Sequence, residues 1–324
     1  MLDSLVPQVH ADTAAAEPDV VGDVRDAAAV RRALEGVDSV VHLAARVGVG
    51  QSMYEIAEYA SANSVGTAVL LEALAERPVR KLVVASSMSV YGEGAYRGGD
   101  PGERTREQLE RREWDFAGCE PVPTPETKRP ALSSIYALTK YDQERACLVA
   151  GAAYGIPTVA LRLFNVYGPG QALSNPYTGV LAIFASRLLN GRAPRVFEDG
   201  GQRRDFVSVH DVARAFRLAL EGDGADGLAV NIGSGGSVTV SALAELLGRT
   251  LGKEIAPEVT GEFRVGDVRH CFADVSLARE TLGLQSQVAL EDGIAELAEW
   301  LAGRAPVDRV DEATAELARR GLTG

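Results

Sequence analysis

The fold is decided by residues 81–92, which read Lys-Leu-Val-Val-Ala-Ser-Ser-Met-Ser-Val-Tyr-Gly. Lys81–Ser86 is a predicted strand, because its centre is continuously apolar and its end is polar. A strand without an alternating polar face is buried on both sides, and helices supply that cover in α/β proteins. The segment therefore predicts a parallel sheet between layers of helices, with serine hydroxyls at the end of one strand.

Short apolar strands alternate with helices on both sides of this segment, which predicts a doubly wound, Rossmann-like α/β sheet. Residues 1–167 form the predicted nucleotide-binding domain, and the stretch 93–132, rich in glycine, proline and charge, interrupts it as an insertion. Residues 168–324 form a smaller predicted substrate domain, partly interleaved with the first, and the polar tail after Pro306 is expected to be a loosely packed helix. The predicted strands are Asp19–Gly22, Ser39–Ala44, Thr158–Phe164 and Ala229–Ile232, and the predicted helices are Ala27–Leu34, Ser61–Glu76, Ser133–Tyr154, Leu181–Asn190, Ser241–Leu251 and Glu291–Leu301.

Tyr136 and Lys140 stand four residues apart on one predicted helix and therefore share a face. The chain has only four lysines against 29 arginines, so a lysine at this spacing is less easily accidental. A cation beside a phenol favours the phenolate and lowers the tyrosine pKa from about 10. Tyr136 is thus a candidate general base, with Ser87 able to bridge it to a substrate hydroxyl. A tyrosine and a lysine at this spacing usually form only a surface contact. The serines at the end of the strand make the combined pattern specific.

Composition and charge exclude several classes of function. The net charge of −12 argues against nucleic acid or an anionic membrane as a partner, since either needs a basic surface. No apolar run approaches about 18 residues and the N-terminus has no signal pattern, so we expect a cytoplasmic protein. The cysteines 119, 147 and 271 are scattered and the four histidines lack metal-ligand spacing, so no metal site is predicted.

A series of ordered motifs connects the chain to one family. The motifs are Gly-Asp-Val-Arg-Asp (22–26), His-Leu-Ala-Ala (42–45), Asn-Ser-Val-Gly-Thr (63–67), Ser-Ser-Met-Ser-Val-Tyr-Gly (86–92), the Tyr136/Lys140 pair, Leu-Arg-Leu-Phe-Asn-Val-Tyr-Gly-Pro (161–169), Gln-Arg-Arg-Asp-Phe-Val-Ser-Val-His-Asp-Val-Ala (202–213) and Arg-Val-Gly-Asp-Val-Arg-His (264–270). In this order they resemble the extended short-chain dehydrogenase/reductase superfamily, in its nucleotide-sugar epimerase branch. Residues 47–53, Val-Gly-Val-Gly-Gln-Ser-Met, and 121–128, Pro-Val-Pro-Thr-Pro-Glu-Thr-Lys, look most like dTDP-L-rhamnose 4-epimerases.

One part of the family pattern is missing from this sequence. Members open with a strand, a G-x-x-G-x-x-G turn and a helix, whereas Leu2–Leu5 resembles the end of the second strand. A βα unit of about 30 residues is therefore expected to be absent. Either the gene product starts upstream of Met1, or the chain is a cofactor-impaired remnant. The glycines at 48 and 50, and those at 233–236, are interpreted as tight turns rather than phosphate-binding loops.

The resemblance implies NAD as the cofactor, because an acidic residue at the position of Asp3 favours it over NADP. Asp3 would bind the adenosine ribose, although a disordered terminal residue is an equal alternative. Asp23 would flank adenine or cap a helix, and Phe164 would lie near the nicotinamide or belong to the core. The implied cofactor-binding residues are Asp3, Asp23, Val24, Leu43, Ala44, Ala45, Asn63, Tyr136, Lys140 and Phe164.

The implied reaction is inversion of a nucleotide-activated sugar at C4 through a transient 4-keto sugar. Ser87, Tyr136 and Lys140 are the candidate catalytic residues, and Ser89 either contacts the same hydroxyl or makes a plain strand-end hydrogen bond. Met88 occupies the place where related dehydratases carry Asp or Glu, which disfavours dehydration. The implied substrate-binding residues are Ser87, Ser89, Tyr136, Asn165, Arg204, Arg264 and Arg269. Asp211 is interpreted as a helix cap, and Arg203 as part of a surface ion pair.

Two other functions remain open from the sequence. A nucleotide-4-ketosugar reductase would use the same residues but release its nicotinamide cofactor. A non-catalytic fragment would bind sugar nucleotide through Arg204 and Arg264 without turnover. The insertion could cover the sugar pocket as a lid, and the resemblance implies a homodimer paired through two helices of the nucleotide-binding half.

Overall fold

Strands and helices alternate along the computed structural model, which describes residues 1–10, 17–173, 175, 177, 179–304 and 306–324. A π-helical stretch, Ala60–Val65, joins two of the helices, and a single 3-10 turn, Met88–Tyr91, follows the fourth strand. The strands are β1 (Leu2–Asp3), β2 (Val20–Val21), β3 (Ser39–His42), β4 (Lys81–Ser87), β5 (Ala95–Arg97), β6 (Glu120–Val122), β7 (Thr158–Leu163), β8 (Asn165–Tyr167), β9 (Arg195–Val196), β10 (Arg203–Arg204), β11 (Phe206–Ser208), β12 (Ala229–Ile232), β13 (Val238–Thr239), β14 (Glu258–Val259) and β15 (His270–Cys271). The helices are α1 (Pro7–His10), α2 (Ala27–Ala33), α3 (Val49–Ser52), α4 (Ile56–Tyr59), α5 (Gly66–Glu76), α6 (Arg106–Glu110), α7 (Ile135–Tyr154), α8 (Val180–Leu189), α9 (Val209–Glu221), α10 (Val240–Thr250), α11 (Ser276–Leu282), α12 (Leu290–Leu301) and α13 (Val310–Arg319).

The central sheet has the strand order β12-β7-β4-β3, and all of its pairings are parallel. Every residue of β4 is buried. Leu82 and Val84 pack into the apolar cluster beneath α2, α5 and α7, whereas Val83 belongs to the cluster beneath α9 and α11. Alternate side chains of one strand therefore fill two cores on opposite faces, as the uninterrupted apolar run requires. The predicted doubly wound parallel sheet is confirmed.

The outer strand of this sheet comes from the second half of the chain. Residues Ala229–Ile232 form β12, which pairs in parallel with Ala160–Leu163 of β7. Helix α9, also from the second half, packs on β4 and β7. The sheet thus draws a strand and a covering helix from beyond residue 167.

Strands β1 and β2 form a separate parallel pair, with Leu2 opposite Val20. Leu2 still packs against the apolar cluster beneath α2 and α5. In the part of the chain that the structure describes, the edge of β3 away from β4 pairs with no other strand. Val41 on β3 is an exposed apolar side chain, as is Val21 on β2.

The second half builds its own core from α8, α10 and α12, whose fully buried residues include Leu181, Leu243 and Leu297. Around it lie short strand pairings, in which β10 is central between β13 and β15. The pairing of β10 with β15 brings Arg203–Arg204 beside His270–Cys271, although these residues are far apart in sequence. No helix among the described residues combines the length and hydropathy needed to cross a membrane.

The insertion at 93–132 is held by an antiparallel pairing of β5 with β6 and by buried charges. Glu93 accepts hydrogen bonds from the main-chain N–H groups of Arg269 (2.7 Å) and His270 (3.1 Å). Arg104 donates to Glu198 at 2.9 Å, and both side chains are almost fully buried. Buried ion pairs fix one arrangement strongly, because separating them leaves a charge without a partner. The insertion is therefore clamped to the second half of the chain.

The tail beyond Pro306 is packed more closely than expected from its polar sequence. Helix α13 buries Val310, Ala313 and Leu317 on one face. These positions are three and four residues apart, which places them on a single stripe among charged residues. The expectation of a loosely packed helix is wrong, because three apolar residues at this spacing are enough to seat it.

Candidate active site

Tyr136 lies in the first turn of α7, where the chain fixes its main chain from two sides. Ser134 is the N-cap and accepts a hydrogen bond from Ala137 N at 3.1 Å. Ser52 Oγ, at the end of α3, accepts a hydrogen bond from Tyr136 N at 3.0 Å. The side chain of Tyr136 is buried and meets the ring of Tyr59 edge to face, with 6.4 Å between centroids. Capping and packing therefore hold the phenol in one place.

Burial raises the pKa of Tyr136 above its usual value, and a hydrogen bond with Ser87 offsets part of the rise. The prediction that Lys140 lowers this pKa is wrong for this structure, since the change is upward and the offsetting group is the Ser87 hydroxyl. The physical reason is that removing a phenolate from water costs more than one neutral hydrogen bond returns. The sequence indicated the pairing of Tyr136 with Ser87 but not the size of the desolvation effect.

Lys140 is buried one turn further along α7, and its Nζ donates to Gln143 Oε1 at 2.8 Å. Burial lowers the pKa of Lys140 to about 8, and the more distant Cys147 and Glu144 act in the opposite direction. His42, whose ring nitrogen Nε2 lies 3.2 Å from Gln143 Nε2, has its pKa lowered to about 3, first by burial and then by Lys140. His42 is therefore neutral at physiological pH, and Lys140 carries the charge in this cluster.

Ser87 ends β4 and caps the 3-10 turn that follows it. Its hydroxyl donates to Ser89 Oγ at 3.1 Å and accepts from Ser89 N at 3.2 Å. The strand-end hydrogen bond that was one alternative for Ser89 is present and is made with Ser87, while the contact of Ser89 with a substrate hydroxyl stays a prediction. Met88 is buried among apolar side chains, and its sulfur accepts from Asn165 Nδ2 at 3.5 Å. No proton donor occupies the Met88 position.

Ser86 belongs to a different, fully buried network on the other face of β4. Its hydroxyl donates to Glu144 Oε2 at 2.6 Å, and Glu144 also pairs with Arg162 at 2.7 and 2.9 Å. Arg162 in turn donates to Tyr91 Oη at 2.9 Å. Because Glu144 lies on α7, this network ties the helix that carries Tyr136 to strands β4 and β7.

The residues predicted for the adenine end of the cofactor lie at the ends of β1 and β2. Asp3 Oδ1 accepts from Leu5 N at 2.7 Å, so the residue is ordered, and the disordered alternative is wrong. Both carboxylate oxygens of Asp23 accept from Arg25, at 2.6 to 2.9 Å. Asp23 does not cap α2, because Asp26 is the N-cap and accepts from Ala28 N. Val24 packs against the apolar cluster beneath α5.

The loop after β3 begins with exposed residues and is attached further along by buried hydrogen bonds. Leu43 is 59% exposed and Ala44 is also exposed, with Ala45 partly covered. Asn63, in contrast, is fully buried, and its amide bonds to Arg46 N (2.6 Å), Arg46 O (3.1 Å) and Thr139 Oγ1 (2.9 Å). Asn63 therefore fixes this loop against α7 and does not line an open channel as predicted.

Phe164 is 4% exposed and packs near Tyr91 and Met88. Its contacts are those of a core residue, which was the alternative to a place beside the nicotinamide. The residues nearer the surface of this site are Leu43 and Ala44 at the carboxyl end of β3.

The surroundings of Lys140 fit the nicotinamide half of a dinucleotide. An ammonium carries three N–H donors, and the hydrogen bond of Lys140 Nζ within the described residues is to Gln143 alone. A buried cation with donors to spare beside a phenol is suited to ribose hydroxyls. The exposed apolar residues Leu43 and Ala44 lie at the carboxyl edge of the same sheet, which is where nucleotides bind in such folds.

The tight-turn interpretation is wrong for Gly50, which lies within helix α3, whereas residues 233–236 form the connection between β12 and β13. Gly48 is the residue before the four-residue helix α3, and it is packed so closely that an added Cβ would lie 3.0 Å from both Tyr59 and Tyr177. At the second cluster, Asp205 accepts from Ser234 N at 2.7 Å and Gly235 N at 3.1 Å. The carboxylate of Asp205 therefore already accepts the hydrogen bonds of the main-chain amides that a bound phosphate would need.

Arg264 is the most accessible of the predicted phosphate-binding arginines, with 40% of its side chain exposed. Its guanidinium lies 4.6 Å from the centre of the Phe197 ring and donates to Asp267 at 2.6 Å. Asp267 also pairs with Arg204 at 3.4 Å. Although burial opposes ionisation, the two arginines lower the pKa of Asp267 to about 2. A single carboxylate thus holds Arg264 and Arg204 side by side.

Arg204 and Arg269 are occupied by other groups. Arg204 donates to the carbonyl oxygens of Val268 and Arg269, so it supports the turn that follows Arg264. Arg269 donates to Asp115 (2.7 Å), Asp199 (2.6 and 3.0 Å) and Glu198 (3.1 Å). Within the described residues these contacts use most of the donors of both guanidiniums, and the predicted contacts of Arg204 and Arg269 with substrate stay predictions.

The remaining predicted polar residues also have internal partners. Asn165 Nδ2 donates to Asp205 O at 2.8 Å. Arg203 donates to Ser237 Oγ at 2.7 Å and stacks on Phe272, so the expected surface ion pair is absent from its described contacts. Asp211 is not the cap of α9, which is Ser208; it binds the residues 286–288 instead.

Three residues of this site were not foreseen from the sequence. Gln143 orients Lys140 and joins it to the loop after β3, since its amide also donates to Ala44 O at 3.2 Å and Thr67 Oγ1 at 2.8 Å. Its position three residues after Lys140 on one helix face was an available signal. Ser52 and Tyr59 come from a distant segment, and nothing in local sequence indicates that they contact Tyr136.

Comparisons with known proteins agree with this geometry. The family model described as "NAD dependent epimerase/dehydratase family" matches residues 2–233. A dTDP-L-rhamnose 4-epimerase of Burkholderia thailandensis is 38% identical over 320 residues, covering 93% of this chain and 87% of that protein. Among solved structures, the UDP-glucose 4-epimerase of Thermus thermophilus in complex with NAD superposes with a TM-score of 0.74 at 30% identity, covering 93% and 90% of the two chains.

A second solved structure, the UDP-glucose 4-epimerase of Thermotoga maritima with UDP-glucose, is similar with a TM-score of 0.73 at 33% identity. It covers 87% of this chain and 83% of that one. Together with the parallel sheet and the Tyr136, Lys140 and Ser87 cluster, these matches place the chain in the NAD dependent epimerase/dehydratase family.

Proposed function

We propose that this protein is an NAD-dependent epimerase that inverts C4 of a nucleotide-activated sugar, with dTDP-L-rhamnose or another nucleotide-activated 6-deoxyhexose as substrate. The observation that carries the proposal is the buried cluster at the start of α7, in which Ser87 acts on the pKa of Tyr136 and the described contacts of Lys140 Nζ leave N–H donors for a ligand. The similarity to a dTDP-L-rhamnose 4-epimerase over 93% of the chain supports this choice of sugar.

In this proposal, Tyr136 and Ser87 handle the proton of the C4 hydroxyl. In the first half-reaction, the phenolate of Tyr136 accepts that proton, directly or through Ser87, as the C4–H bond gives up its hydride. In the second, the hydride returns to the opposite face and the phenol restores the proton to the oxygen. Because burial raises the pKa of Tyr136, the Ser87 hydroxyl, which offsets part of that rise, is the group that favours the phenolate. With a pKa of about 8, Lys140 is mostly cationic at neutral pH, so its ammonium can donate hydrogen bonds to ribose hydroxyls.

NAD, when bound, supplies the hydride acceptor that later becomes the hydride donor. Of this chain's residues, Lys140 would hold the nicotinamide ribose through its remaining N–H groups, and Asp3 would accept from the adenosine ribose. Leu43 and Ala44 would cover an apolar face of the cofactor. Asn63 and Gln143 would act one layer further away, by holding the loop after β3 and the ammonium in place.

For the diphosphate, we propose that Arg264 makes the direct contact. It is exposed, and a guanidinium can bind phosphate through two hydrogen bonds. Asp267 and Arg204 support it from behind by fixing the turn at residues 264–269. Phe197, which lies beneath Arg264, offers an aromatic face beside the same group.

The side chain at position 88 favours epimerisation over dehydration. Elimination of water from the 4-keto sugar needs a further acid close to the catalytic tyrosine. Met88 is buried with a thioether in that place and cannot transfer a proton. The proposed reaction is therefore limited to removing and returning one hydride and one proton at C4.

The decisive experiment is incubation with dTDP-L-rhamnose without added nicotinamide cofactor or reductant, followed by chromatography of the sugar nucleotides. An epimerase gives a mixture of the two C4 epimers with no net change in absorbance at 340 nm. A 4-ketosugar reductase, the alternative, needs stoichiometric NADH or NADPH and a keto substrate. If dTDP binds but no nucleotide sugar is converted even with added NAD, the binding-only alternative replaces this proposal.

We further propose a cytoplasmic homodimer. The free thiols of Cys119, Cys147 and Cys271 are consistent with a reducing compartment. Helices α5 and α7 pack side by side, and α7 exposes the apolar side chains of Leu138 and Val149. A second copy of the same face would cover them, as in isologous dimers. Sedimentation of the wild type against Leu138→Asp tests this, because a monomer–dimer difference is expected only if the face is the interface.

A further inference from the structure

Residues 306–324, called the strap here, cross the molecule from the second core to the proposed substrate site. Four ion pairs between two arginines and two aspartates hold the beginning of the strap. Arg187 on α8 donates to Asp311 at 2.8 Å, and Arg192 pairs with Asp308 and Asp311 at 3.2 and 2.8 Å. Asp308 and Arg187 are buried, so this attachment is more than a surface ion pair.

The middle of the strap contacts helix α3, whose Ser52 accepts a hydrogen bond from Tyr136 N. Leu317 is buried against Gly50, where an added Cβ would lie 3.3 Å from the leucine side chain. Arg320 stacks on Tyr54 at 4.2 Å from the ring centre, and Tyr54 donates to Tyr177 Oη at 2.7 Å. The strap is thereby fixed a second time, close to Ser52.

The last residues of the strap pair with the segment that carries Arg264. Val265 N donates to Leu322 O at 2.9 Å, Phe263 N donates to Gly324 O at 2.8 Å, and Gly324 N donates to Phe263 O at 3.1 Å. An isolated antiparallel bridge joins Arg264 directly to Thr323. Three main-chain hydrogen bonds therefore enclose Arg264, and each of the flanking residues is tied to the strap.

These contacts complete the support of Arg264, whose side chain is held by Asp267 and lies over the ring of Phe197. Arg204 holds the end of the turn at Val268 and Arg269, and the strap pairs with its beginning at Phe263 and Val265. An arginine recognises a diphosphate well only when its planar group is already oriented, since ordering a long side chain costs conformational entropy. A partner strand that is itself anchored at two other places can supply that orientation.

We propose that the strap is a positioning element for recognition of the diphosphate: residues 322–324 fix the main chain on both sides of Arg264. The proposal rests on the proposed function, because it assigns the diphosphate to Arg264. Loss of the pairing leaves Arg264 chemically intact but free to change direction. The affinity for the nucleoside diphosphate then falls and the KM of the sugar nucleotide rises, while kcat, which is set at Tyr136, changes little.

The test is calorimetric binding of dTDP to four chains: wild type, a chain lacking residues 322–324, Arg264→Ala, and the two changes combined. Hydrogen bonds to a charged group are worth enough for about a ten- to 100-fold loss of affinity in each single variant. The combined variant is expected to bind no more weakly than Arg264→Ala, because both changes remove the same contact. In steady-state kinetics, the chain that lacks residues 322–324 should have a higher KM for the sugar nucleotide than the wild type.

A second variant guards against misfolding of the shortened chain. In Gly324→Leu the new Cβ would lie 2.6 Å from the Phe263 ring, so the two strands are pushed apart at full chain length. Glu312→Ala, an exposed change on α13, is the matched control and should bind dTDP like the wild type. Thermal melting shows whether each variant is folded.

Wild-type affinity in the folded Gly324→Leu or shortened chain overturns the proposal, as does an additive loss in the combined variant. If the wild type binds dTDP but converts no sugar, the proposed reaction fails while the role of the strap in binding stands. If the wild type binds no dTDP at all, both are refuted.

Discussion

Replacing Lys140 by methionine should stabilise this protein at neutral pH while removing its activity. The ammonium is buried, and its pKa falls from 10.5 to about 8 chiefly because burial disfavours the charged form. A lowering of this size corresponds to about 3 kcal/mol of unfavourable free energy at pH 7. Methionine has similar length and no charge, so it relieves this cost. The substitution also leaves Gln143 Oε1 without its hydrogen-bond donor, and this lowers the gain in stability by about 1–2 kcal/mol.

The pH dependence separates these two effects. Between pH 8 and 10.5 the unfolded chain binds more protons at Lys140 than the folded chain does, so this lysine makes wild-type stability rise with pH. By pH 9.5 the cost of the buried lysine has dropped to about 1 kcal/mol, by the same linkage. The advantage of Lys140→Met should therefore shrink by about 2 kcal/mol from pH 7 to pH 9.5. The lost Gln143 hydrogen bond contributes equally at both values.

Urea unfolding of wild type and Lys140→Met, without added cofactor, measures this difference at the two pH values. Taking the difference cancels the tyrosines and cysteines that also titrate in this range. Gln143→Leu is a useful companion, since it removes the acceptor and should destabilise the wild-type lysine further. A stability difference that stays constant between pH 7 and 9.5 would show that Lys140 titrates near its normal pKa and would refute the reasoning.

Three further outcomes are expected. Tyr136→Phe should lower kcat by about 10²–10⁴-fold with an unchanged melting temperature, since the hydrogen bond to Ser52 uses the main chain; unchanged turnover would remove the phenol from the mechanism. Glu144→Gln should lower the free energy of unfolding by about 3–5 kcal/mol in urea titrations, because it leaves Arg162 buried without its counter-charge; a loss below about 1 kcal/mol would mean that water compensates Arg162. Asp267→Asn should cost about 2 kcal/mol at pH 7, since the pKa of Asp267, about 2, lies below the usual value of 3.8. The difference from wild type should disappear as the pH falls from 4 toward 2, and a pH-independent difference contradicts this reasoning.

The sequence was most informative where structure depends on neighbours along the chain. The apolar run at 81–86 predicted a buried strand, and the four-residue spacing of Tyr136 and Lys140 placed both on one helix. Ser87 at the strand end then falls beside the tyrosine, because β4 and α7 are packed layers of one sheet unit. Periodicity suffices for such features, since each is set within about 20 residues.

The sequence was least informative where a polar side chain chooses among distant partners. Arg204 and Arg269 match phosphate-binding positions, yet carbonyl and carboxylate oxygens brought together by the pairing of β10 with β15 take up their donors. Similarly, the side-chain amide of Asn63 is used in hydrogen bonds with the main chain of Arg46. The direction of the Tyr136 pKa also depends on burial, which is a property of the assembled core and has no local signature.

The place of β12 in the central sheet limits how this scaffold can acquire new specificity. A chimera that joined residues 1–167 to the second half of another enzyme would have to bring a foreign edge strand into register with β7. It would also need a foreign α9 to seal the apolar face of β4. Recombination at that boundary would therefore usually yield insoluble protein. New sugar preferences in such an enzyme are reached more readily by exchanging individual side chains around the pocket than by shuffling whole modules.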